Sequence, residues 1–232
     1  MPGRLSLVAT PIGNMEDITL RALRTLAEAD VIFAEDTRHT AQLLHHHQLH
    51  KPLQSCHAFS EARRGDEIAA RVAAGEHVAL VSDAGSPGIS DPGFRVVRAC
   101  LEKGVLVETV PGPCAVISAL SASGLPTDEF HFIGFLPPKS GARERRLRGA
   151  LAIPGTLVIY ESPHRLVRAL EQIAAIFPDR PVVVARELTK KFEEYRRGSA
   201  MEVLAHFQAH PPRGEMVVLI GPAQKLWTAC PD

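Results

Sequence analysis

Four short segments of this chain combine small residues, prolines and carboxylates in patterns that suit ligand binding. The longest is Ser82-Asp83-Ala84-Gly85-Ser86-Pro87-Gly88-Ile89-Ser90-Asp91-Pro92-Gly93. Its small residues let backbone approach a ligand closely, and two prolines fix the path. Asp83 carries a carboxylate able to accept bonds from an ammonium or from ribose hydroxyls. A set of surface turns capped by Asp83 and Asp91 has the same composition and stays open as a reading. Val110-Pro111-Gly112-Pro113-Cys114-Ala115 opens a helix whose unpaired N–H groups favour an anion, such as the carboxylate end of a cofactor. Cys114 reads better as a packed small residue than as a nucleophile, because no histidine–acid partnership is visible nearby in sequence. Thr10-Pro11-Ile12-Gly13-Asn14 and Glu35-Asp36 follow the first two strands, where a dinucleotide fold puts its phosphate loop and its ribose-binding acid. The first of these lacks G-x-G-x-x-G, and one glycine with a proline in place of a donor is badly suited to a pyrophosphate. A nicotinamide or flavin is therefore disfavoured, and an ordinary connecting loop remains the plain alternative.

Charge narrows the partners. The 26 basic and 26 acidic residues cancel, so no global field draws in a polyanion and any RNA site must be a local patch. Lys139, Arg143, Arg145, Arg146 and Arg148 form such a cluster on or before a helix, with smaller ones at Arg63-Arg64, Lys190-Lys191 and Arg196-Arg197. Phosphate contacts need surface of this kind, although a solvated helix face looks the same. His45-His46-His47 does not read as a metal site, since adjacent helical residues point about 100° apart and cannot converge on one ion. Cys56, Cys100, Cys114 and Cys230 are scattered without a C-x-x-C pair, which fits free thiols in a reducing compartment. The N-terminus shows no secretory signal pattern, and no apolar run approaches the ~18 residues that would span a bilayer. A soluble cytoplasmic protein with no membrane and no metal is expected.

The elements that must hold these loops alternate regularly. Arg4 to Ala9, Val31 to Ala34, Val78 to Ser82 and Val105 to Val110 read as buried strands. Between them, helices are expected from Ile18 to Ala27 behind a potential Asp17 cap, from Thr40 to Leu49, from Asp66 to Ala74 and from Phe94 to Lys103. Gly75 and Gly104 close the last two. Strand–helix alternation implies right-handed crossovers and a mainly parallel sheet, with ligands at the carboxyl ends of its strands. After a helix from Cys114 to Ser121, the Gly124-Leu125-Pro126-Thr127 stretch marks a domain boundary, dividing the chain into residues 1–122 and 123–232. The second half reads as strands at Phe130 to Phe135, Thr156 to Tyr160, Val182 to Arg186 and Met216 to Ile220, with helices at Ala142 to Leu151, Leu166 to Phe177 and Met201 to Gln208. A short hairpin strand at Tyr195 to Gly198 would make this sheet mixed.

Taken together, these segments resemble the tetrapyrrole-methylase superfamily of S-adenosylmethionine enzymes, in the branch that methylates a cytidine 2′-oxygen of 16S ribosomal RNA. The resemblance runs from about Leu5 to Gly221. It is carried by Leu7-Val8-Ala9-Thr10-Pro11-Ile12-Gly13-Asn14, Ala34-Glu35-Asp36-Thr37-Arg38, Leu80 through Gly93, Val110 through Ala115, Tyr160-Glu161-Ser162-Pro163-His164-Arg165 and Ala185-Arg186-Glu187-Leu188-Thr189-Lys190. It implies a two-domain α/β fold with an N-terminal mainly parallel sheet, a C-terminal mixed sheet and S-adenosyl-L-methionine in the cleft between them, in a homodimer. The implied cofactor contacts are Pro11, Ile12 and Gly13, then Asp83, Ser86, Ile89 and Ser90, then Pro113, Cys114 and Ala115, and finally Tyr160, Arg186 and Met216.

The implied reaction is an in-line methyl transfer in which alignment does most of the work. A ribose hydroxyl is a poor nucleophile, so a carboxylate should take its proton; Asp36 and Glu187 are the candidates, with Asp91 behind them. Arg38 or Arg186 would hold the adjacent phosphate, and Lys139, Arg143, Arg145, Arg146 and Arg148 the surrounding RNA or ribosomal subunit. A helix-start cap at Glu35-Asp36-Thr37-Arg38 and a salt bridge at Arg186-Glu187 are the structural alternatives. Relatives that act on tetrapyrroles typically have a glycine-richer first loop and lack Glu-Asp-Thr-Arg and Tyr-Glu-Ser-Pro-His-Arg, which favours RNA over a small tetrapyrrole. A non-catalytic cofactor- or ribosome-binding protein is the remaining reading. The ribosomal branch commonly continues past the second domain into a small helical C-terminal segment, whereas this sequence stops about ten residues after Gly221. If that segment helps grip RNA, either a different binding mode or a greater dependence on the Lys139 to Arg148 cluster is expected.

Overall fold

The computed structural model describes residues 2–223; Cys230 lies outside them. The chain divides into two compact units, Met1–Cys114 and Ala115–Asp232. In the first, strands β1 (Arg4–Val8), β2 (Val31–Ala34), β3 (Leu53–Ser55), β4 (His77–Val81) and β5 (Leu106–Val110) form one sheet in the order β3-β2-β4-β1-β5. Every pairing in it is parallel. The crossovers are helices α1 (Leu20–Glu28), α2 (Thr37–His46), α3 (Glu61–Ala73) and α4 (Phe94–Glu102).

Strand β2 shows why these segments pair this way. All four of its residues are buried, with Ile32 and Ala34 in one apolar cluster and Val31 and Phe33 in another. The first cluster takes in Ala22, Leu26, Leu43 and Leu44 from α1 and α2; the second takes Ile68, Ala69, Val72, Val96 and Cys100 from α3 and α4. The sheet is thus covered on both faces, as parallel strands with continuous apolar runs require. Helices α2 and α3 begin earlier than expected, at Thr37 and Glu61, and two further features depart from the sequence reading. Helix α1 is capped by Thr19, whose Oγ1 accepts from the Ala22 N–H at 3.0 Å, while Asp17 ends a single 3-10 turn. Strand β3 is an edge of three half-buried residues, too short and too polar to announce itself by periodicity.

The second unit holds α5 (Ala115–Ser123), β6 (Phe130–Phe135), α6 (Ser140–Arg148), β7 (Thr156–Glu161), α7 (Pro163–Ile176), β8 (Pro181–Arg186), β9 (Glu194–Ser199), α8 (Ala200–Ala209) and β10 (Met216–Ile220). Its sheet runs β6-β7-β10-β8-β9 and is mixed: β6 and β7 are parallel, while β10 is antiparallel to both neighbours and β9 antiparallel to β8. Helix α5 groups with this unit, one helix earlier than the boundary expected from the glycine–proline stretch. The cause lies in β9. The Arg197 guanidinium donates to the Ser123 and Ala122 carbonyls at 3.0 and 2.6 Å, closing the C-terminal end of α5, and the Tyr195 hydroxyl donates to the Ser118 carbonyl at 3.1 Å.

One buried polar group in the first sheet gives stability a pH dependence. Ser6 Oγ donates to Glu108 Oε1 at 2.6 Å, which uses its only proton, so the His77 Nε2–H donates to Ser6 Oγ at 2.8 Å. Burial pushes the His77 pKa below its ordinary 6.5, and the nearby Arg4 cation adds to the effect. The unfolded chain therefore binds this proton before the folded one does as pH falls. The stabilisation from His77 is complete above about pH 6.5 and is lost as pH drops towards its lowered folded value. In urea denaturation between pH 7.5 and 5, His77→Gln should show a flatter decline in midpoint than the unsubstituted protein.

Candidate functional site

In the first unit, parallel pairing brings the loops after β1, β2, β4 and β5 to one edge of the sheet, because all four strands end there. Past the strands, the loops after β1 and β4 are tied by an isolated antiparallel bridge. The Thr10 N–H donates to the Gly85 carbonyl at 2.9 Å, and the Gly85 N–H returns a bond to the Thr10 carbonyl at 3.0 Å. Thr10 Oγ1 also donates to the Ser82 carbonyl at 3.1 Å. Gly85 has φ +78°, and a Cβ there would sit 3.5 Å from both Ile12 Cγ2 and the Pro113 carbonyl. Three of the four loops singled out in the sequence meet at this glycine.

The β4 loop is folded by its own backbone. The Gly88 N–H donates to the Pro92 carbonyl at 3.2 Å, the Ile89 N–H to the Ser86 carbonyl at 3.3 Å, and Ser90 takes φ +67°. Such a conformation costs a non-glycine residue of order 1 kcal/mol, and residues held this way cluster at ligand clamps. From α3, Glu61 Oε1 accepts the N–H groups of Gly93 and Arg95 at 2.8 and 2.9 Å, pinning the end of the loop to the start of α4. Ser86 and Asp91 are partly exposed, and Ile89 and Ser90 are exposed.

Between the β2 and β4 ends stands a group of three carboxylates. Asp83 Oδ1 accepts the Asp36 N–H at 2.9 Å, and the Asp83 backbone lies close enough to the Glu35 carboxylate to lower its pKa slightly. Asp36 caps α2: its Oδ1 accepts the Arg38 N–H at 2.8 Å, and its carboxylate pairs with the exposed Arg38 guanidinium at 2.6 Å. Those bonds hold the Asp36 carboxyl well below the usual carboxylate range. Glu35 is pushed the other way, first by burial and then by the charges of Asp83 and Asp36. Of the two neighbours, Glu35 has the stronger proton affinity. From the sequence, Glu35 is expected only in a ribose-binding part and Asp36 as the base; both are half-buried, and it is the Asp36 cap and its Arg38 partner that separate them.

The second unit gathers its expected residues at one end of its sheet. Met216 opens β10 opposite both Glu161 and Arg186, and Val217 lies opposite Tyr160. Met216 is buried. Arg186 Nε donates to Glu194 Oε2 at 2.5 Å. Glu187 has φ +51°, donates its N–H to the Glu215 carbonyl at 3.1 Å and pairs with Lys190 Nζ at 3.1 Å. A Cβ on Gly214 would overlap the Glu187 carboxylate, so that glycine makes room for it. Glu161 is fully buried, paired with Arg165 Nε at 3.2 Å, and its carboxyl is raised by burial. Of the basic cluster, Lys139, Arg145, Arg146 and Arg148 are exposed. Arg143 is the exception: it is buried, donates from Nε to Gln172 Oε1 at 2.7 Å and holds α6 to α7, so it does not join the exposed patch.

Pro111 and Gly112 are exposed, while Pro113, Cys114 and Ala115 are partly buried. Cys114 is a free thiol, as are the buried Cys56 and Cys100, whose pKa burial raises to about 11. His45 and His46 end α2 and His47 caps it. Among the described residues, no group of three or more His, Cys, Asp or Glu is placed to hold a metal ion. Among the same residues, no helix is long and apolar enough to cross a membrane.

Known proteins match this arrangement. The family described as tetrapyrrole (corrin/porphyrin) methylases matches residues 4–204. A "Ribosomal RNA small subunit methyltransferase I" of Escherichia coli O157:H7 is 48% identical over 94% of this chain and 77% of its own length. A protein of the same name from Thermotoga maritima is 46% identical over 94% of this chain and 98% of its own length. Among solved structures, diphthine synthase superposes with a TM-score of 0.73 at 14% identity, covering 94% of this chain and 90% of that one. Uroporphyrin-III C-methyltransferase from Thermus thermophilus, complexed with S-adenosyl homocysteine, gives 0.63 at 23% identity, covering 94% and 97%. At those identities the structures speak to the fold.

Two substitutions test the loop edge. A Cβ on Gly93 would lie 2.8 Å from the Gly88 nitrogen, so Gly93→Ala must displace the β4 loop and should cost roughly 1–3 kcal/mol in denaturant unfolding. Glu35 is penalised when ionised, so its contribution is lost as pH rises through its raised folded pKa. Glu35→Gln should therefore raise the urea midpoint relative to the unsubstituted protein at pH 8, with a smaller gain at pH 4.5.

Proposed function

From the premise that this chain belongs to the tetrapyrrole (corrin/porphyrin) methylase family, we propose that it is an S-adenosylmethionine-dependent methyltransferase acting on a cytidine ribose 2′-hydroxyl in small-subunit ribosomal RNA. The observation that carries the reading is the identity of 46–48% with proteins named for that RNA, set against 23% with the uroporphyrin enzyme of the same fold. The same reading has it working in the cytoplasm, on the ribosomal subunit or its RNA, as a homodimer. A small tetrapyrrole as methyl acceptor is the reading that this difference disfavours.

The residues at the edge of the first sheet fit the cofactor. Gly85 leaves a cradle at the meeting of the Ile12 and Pro113 loops that a side chain would fill. Asp83 and Ser86 offer acceptors for ribose hydroxyls or an ammonium, beside Pro11, Ile12, Gly13, Ile89 and Ser90. Pro113, Cys114 and Ala115 lead into α5, and Tyr160, Arg186 and Met216 complete the proposed contacts in the second unit. When bound, S-adenosylmethionine supplies a methyl group on a sulfonium, an electrophile that needs no metal.

The protein's own part is alignment and proton removal. A carboxylate beside the 2′-hydroxyl accepts its proton as the oxygen attacks, and the more basic carboxylate does so with less penalty. Glu35 meets that condition better than Asp36, whose lone pairs the α2 cap and Arg38 already engage. Glu187 and Asp91 are the further candidates. Arg38, 88% exposed along its side chain, has Nε and Nη2 of its guanidinium held by Asp36 and would offer its outer edge to a phosphate.

Mass spectrometry of nucleosides from small ribosomal subunits treated with the protein and cofactor should reveal 2′-O-methylcytidine. Its absence, with methyl label found in a porphyrinoid instead, would select the tetrapyrrole reading. In single-turnover assays Glu35→Gln should slow methylation about a hundredfold or more, and Asp36→Asn far less. Asp83→Ala should weaken cofactor binding in calorimetry by roughly ten- to a hundredfold.

A further inference from the structure

Strand β6 is an edge of the second sheet and carries three phenylalanines in six residues. Alternation would put Phe130, Phe132 and residue 134 on one face and turn Phe135 to the other. The register shifts between Phe132 and Gly134, so that Phe132 lies opposite Val158 and Phe135 opposite Tyr160. Gly134 has φ +77°, the left-handed backbone such a bulge uses. The bulge therefore brings Phe132 and Phe135 to the same face, on either side of the Tyr160 ring. Ring centroids stand 4.9 Å apart for Phe132 and Tyr160, and 5.5 Å for Phe135 and Tyr160. Ile133 faces the other way and packs into the core of the unit.

The shelf is held rigidly. Leu136, next after Phe135, is buried, and its carbonyl accepts from Arg165 Nη2. Arg165 is fixed in turn by the buried Glu161, the residue after Tyr160. Phe135 nevertheless remains 55% exposed. A large apolar ring kept in solvent by a bulge, a clamp and two supporting rings has a geometry that burial does not explain.

The neighbouring charge says what would lie on it. Four residues beyond Phe135 comes the exposed Lys139, within ~14 Å by chain length alone. The exposed Arg145, Arg146 and Arg148 follow on α6. An aromatic face beside a local run of cations is the pattern that single-stranded nucleic acid recognises: bases stack on the ring and phosphates pair with the cations. We propose that Phe135 is the stacking surface for an unpaired base of the substrate RNA, with Tyr160 and Phe132 as its backing and the α6 cations gripping the adjacent phosphates.

The proposal deepens the reading of the protein as an RNA methyltransferase and rests on it, but its test separates the two. Fluorescence anisotropy with labelled single-stranded oligocytidylate and a duplex RNA of equal length reads binding directly, without turnover. For the single strand, Phe135→Leu should weaken binding roughly ten- to a hundredfold, and Phe135→Trp should restore it. Affinity for S-adenosylmethionine in calorimetry should stay unchanged in both variants. With small ribosomal subunits as substrate, Phe135→Leu should raise KM more than it lowers kcat. Unaltered oligocytidylate binding in Phe135→Leu would overturn the proposal, as would a loss confined to cofactor affinity, which would make the rings an adenine site. If the unsubstituted protein methylates subunits while Phe135→Leu keeps a normal KM, the stacking surface falls and the enzymatic reading stands. If it methylates no subunits, the enzymatic reading fails whatever the oligocytidylate shows.

Discussion

The reciprocal backbone bonds between Thr10 and Gly85 are the constraint on which the candidate site depends. Parallel strands exchange evenly spaced bonds along their length, and past their ends the chain is usually free to diverge. Here the loops after β1 and β4 are tied beyond the sheet, so they are fixed relative to each other before any ligand arrives. The positive φ of Gly85 turns the longer loop at that point and leaves room for the loop after β5. A site assembled this way has little ordering entropy left to lose on binding, which is the physical content of preorganisation.

The same edge stores electrostatic tension. Glu35, Asp36 and Asp83 lie at the ends of adjacent strands, with backbone groups as their main bridges. Arg38 relieves Asp36 and leaves Glu35 raised. Two neighbouring carboxylates whose environments push their proton affinities apart are the usual way for a fold to obtain a base near neutral pH. The instability this imposes is local, and it falls where the chain also accepts the strained backbone of Ser90.

Much of this was legible in the sequence because parallel strands buried on both faces are continuous apolar runs, and each core strand was found within a residue or two. The motif loops were visible because glycines, prolines and acids mark turns. What stayed hidden depended on partners distant in sequence. Thr19 rather than Asp17 caps α1 because the intervening residues close a separate 3-10 turn. Helix α5 goes with the second unit because Arg197 and Tyr195, more than seventy residues away, bond to its carbonyls. Arg143 sits among exposed arginines in sequence and yet is buried, because only the α7 glutamine opposite decides which way it turns. Composition shows that a helix is basic; it does not show which of its cations water can reach.

The bulge in β6 shows the same limit from the other side. Phe130, Phe132 and Phe135 break the two-residue alternation, and from sequence alone that irregularity reads as an ordinary apolar strand. Only the register against β7 shows the extra residue, and only the Arg165 bond to the Leu136 carbonyl shows that the chain beyond it is held. The buried Glu161 makes that hold costly to break. Removing Arg165 would strand a carboxylate with no exposed surface, and losing one member of such a pair typically costs ~3–5 kcal/mol. An ion pair of that kind adds little net stability over a well-packed apolar pair, so its presence is better explained by what it fixes in place. Here that is the short turn between an aromatic edge strand and a basic helix, where an exposed ring is followed by exposed cations.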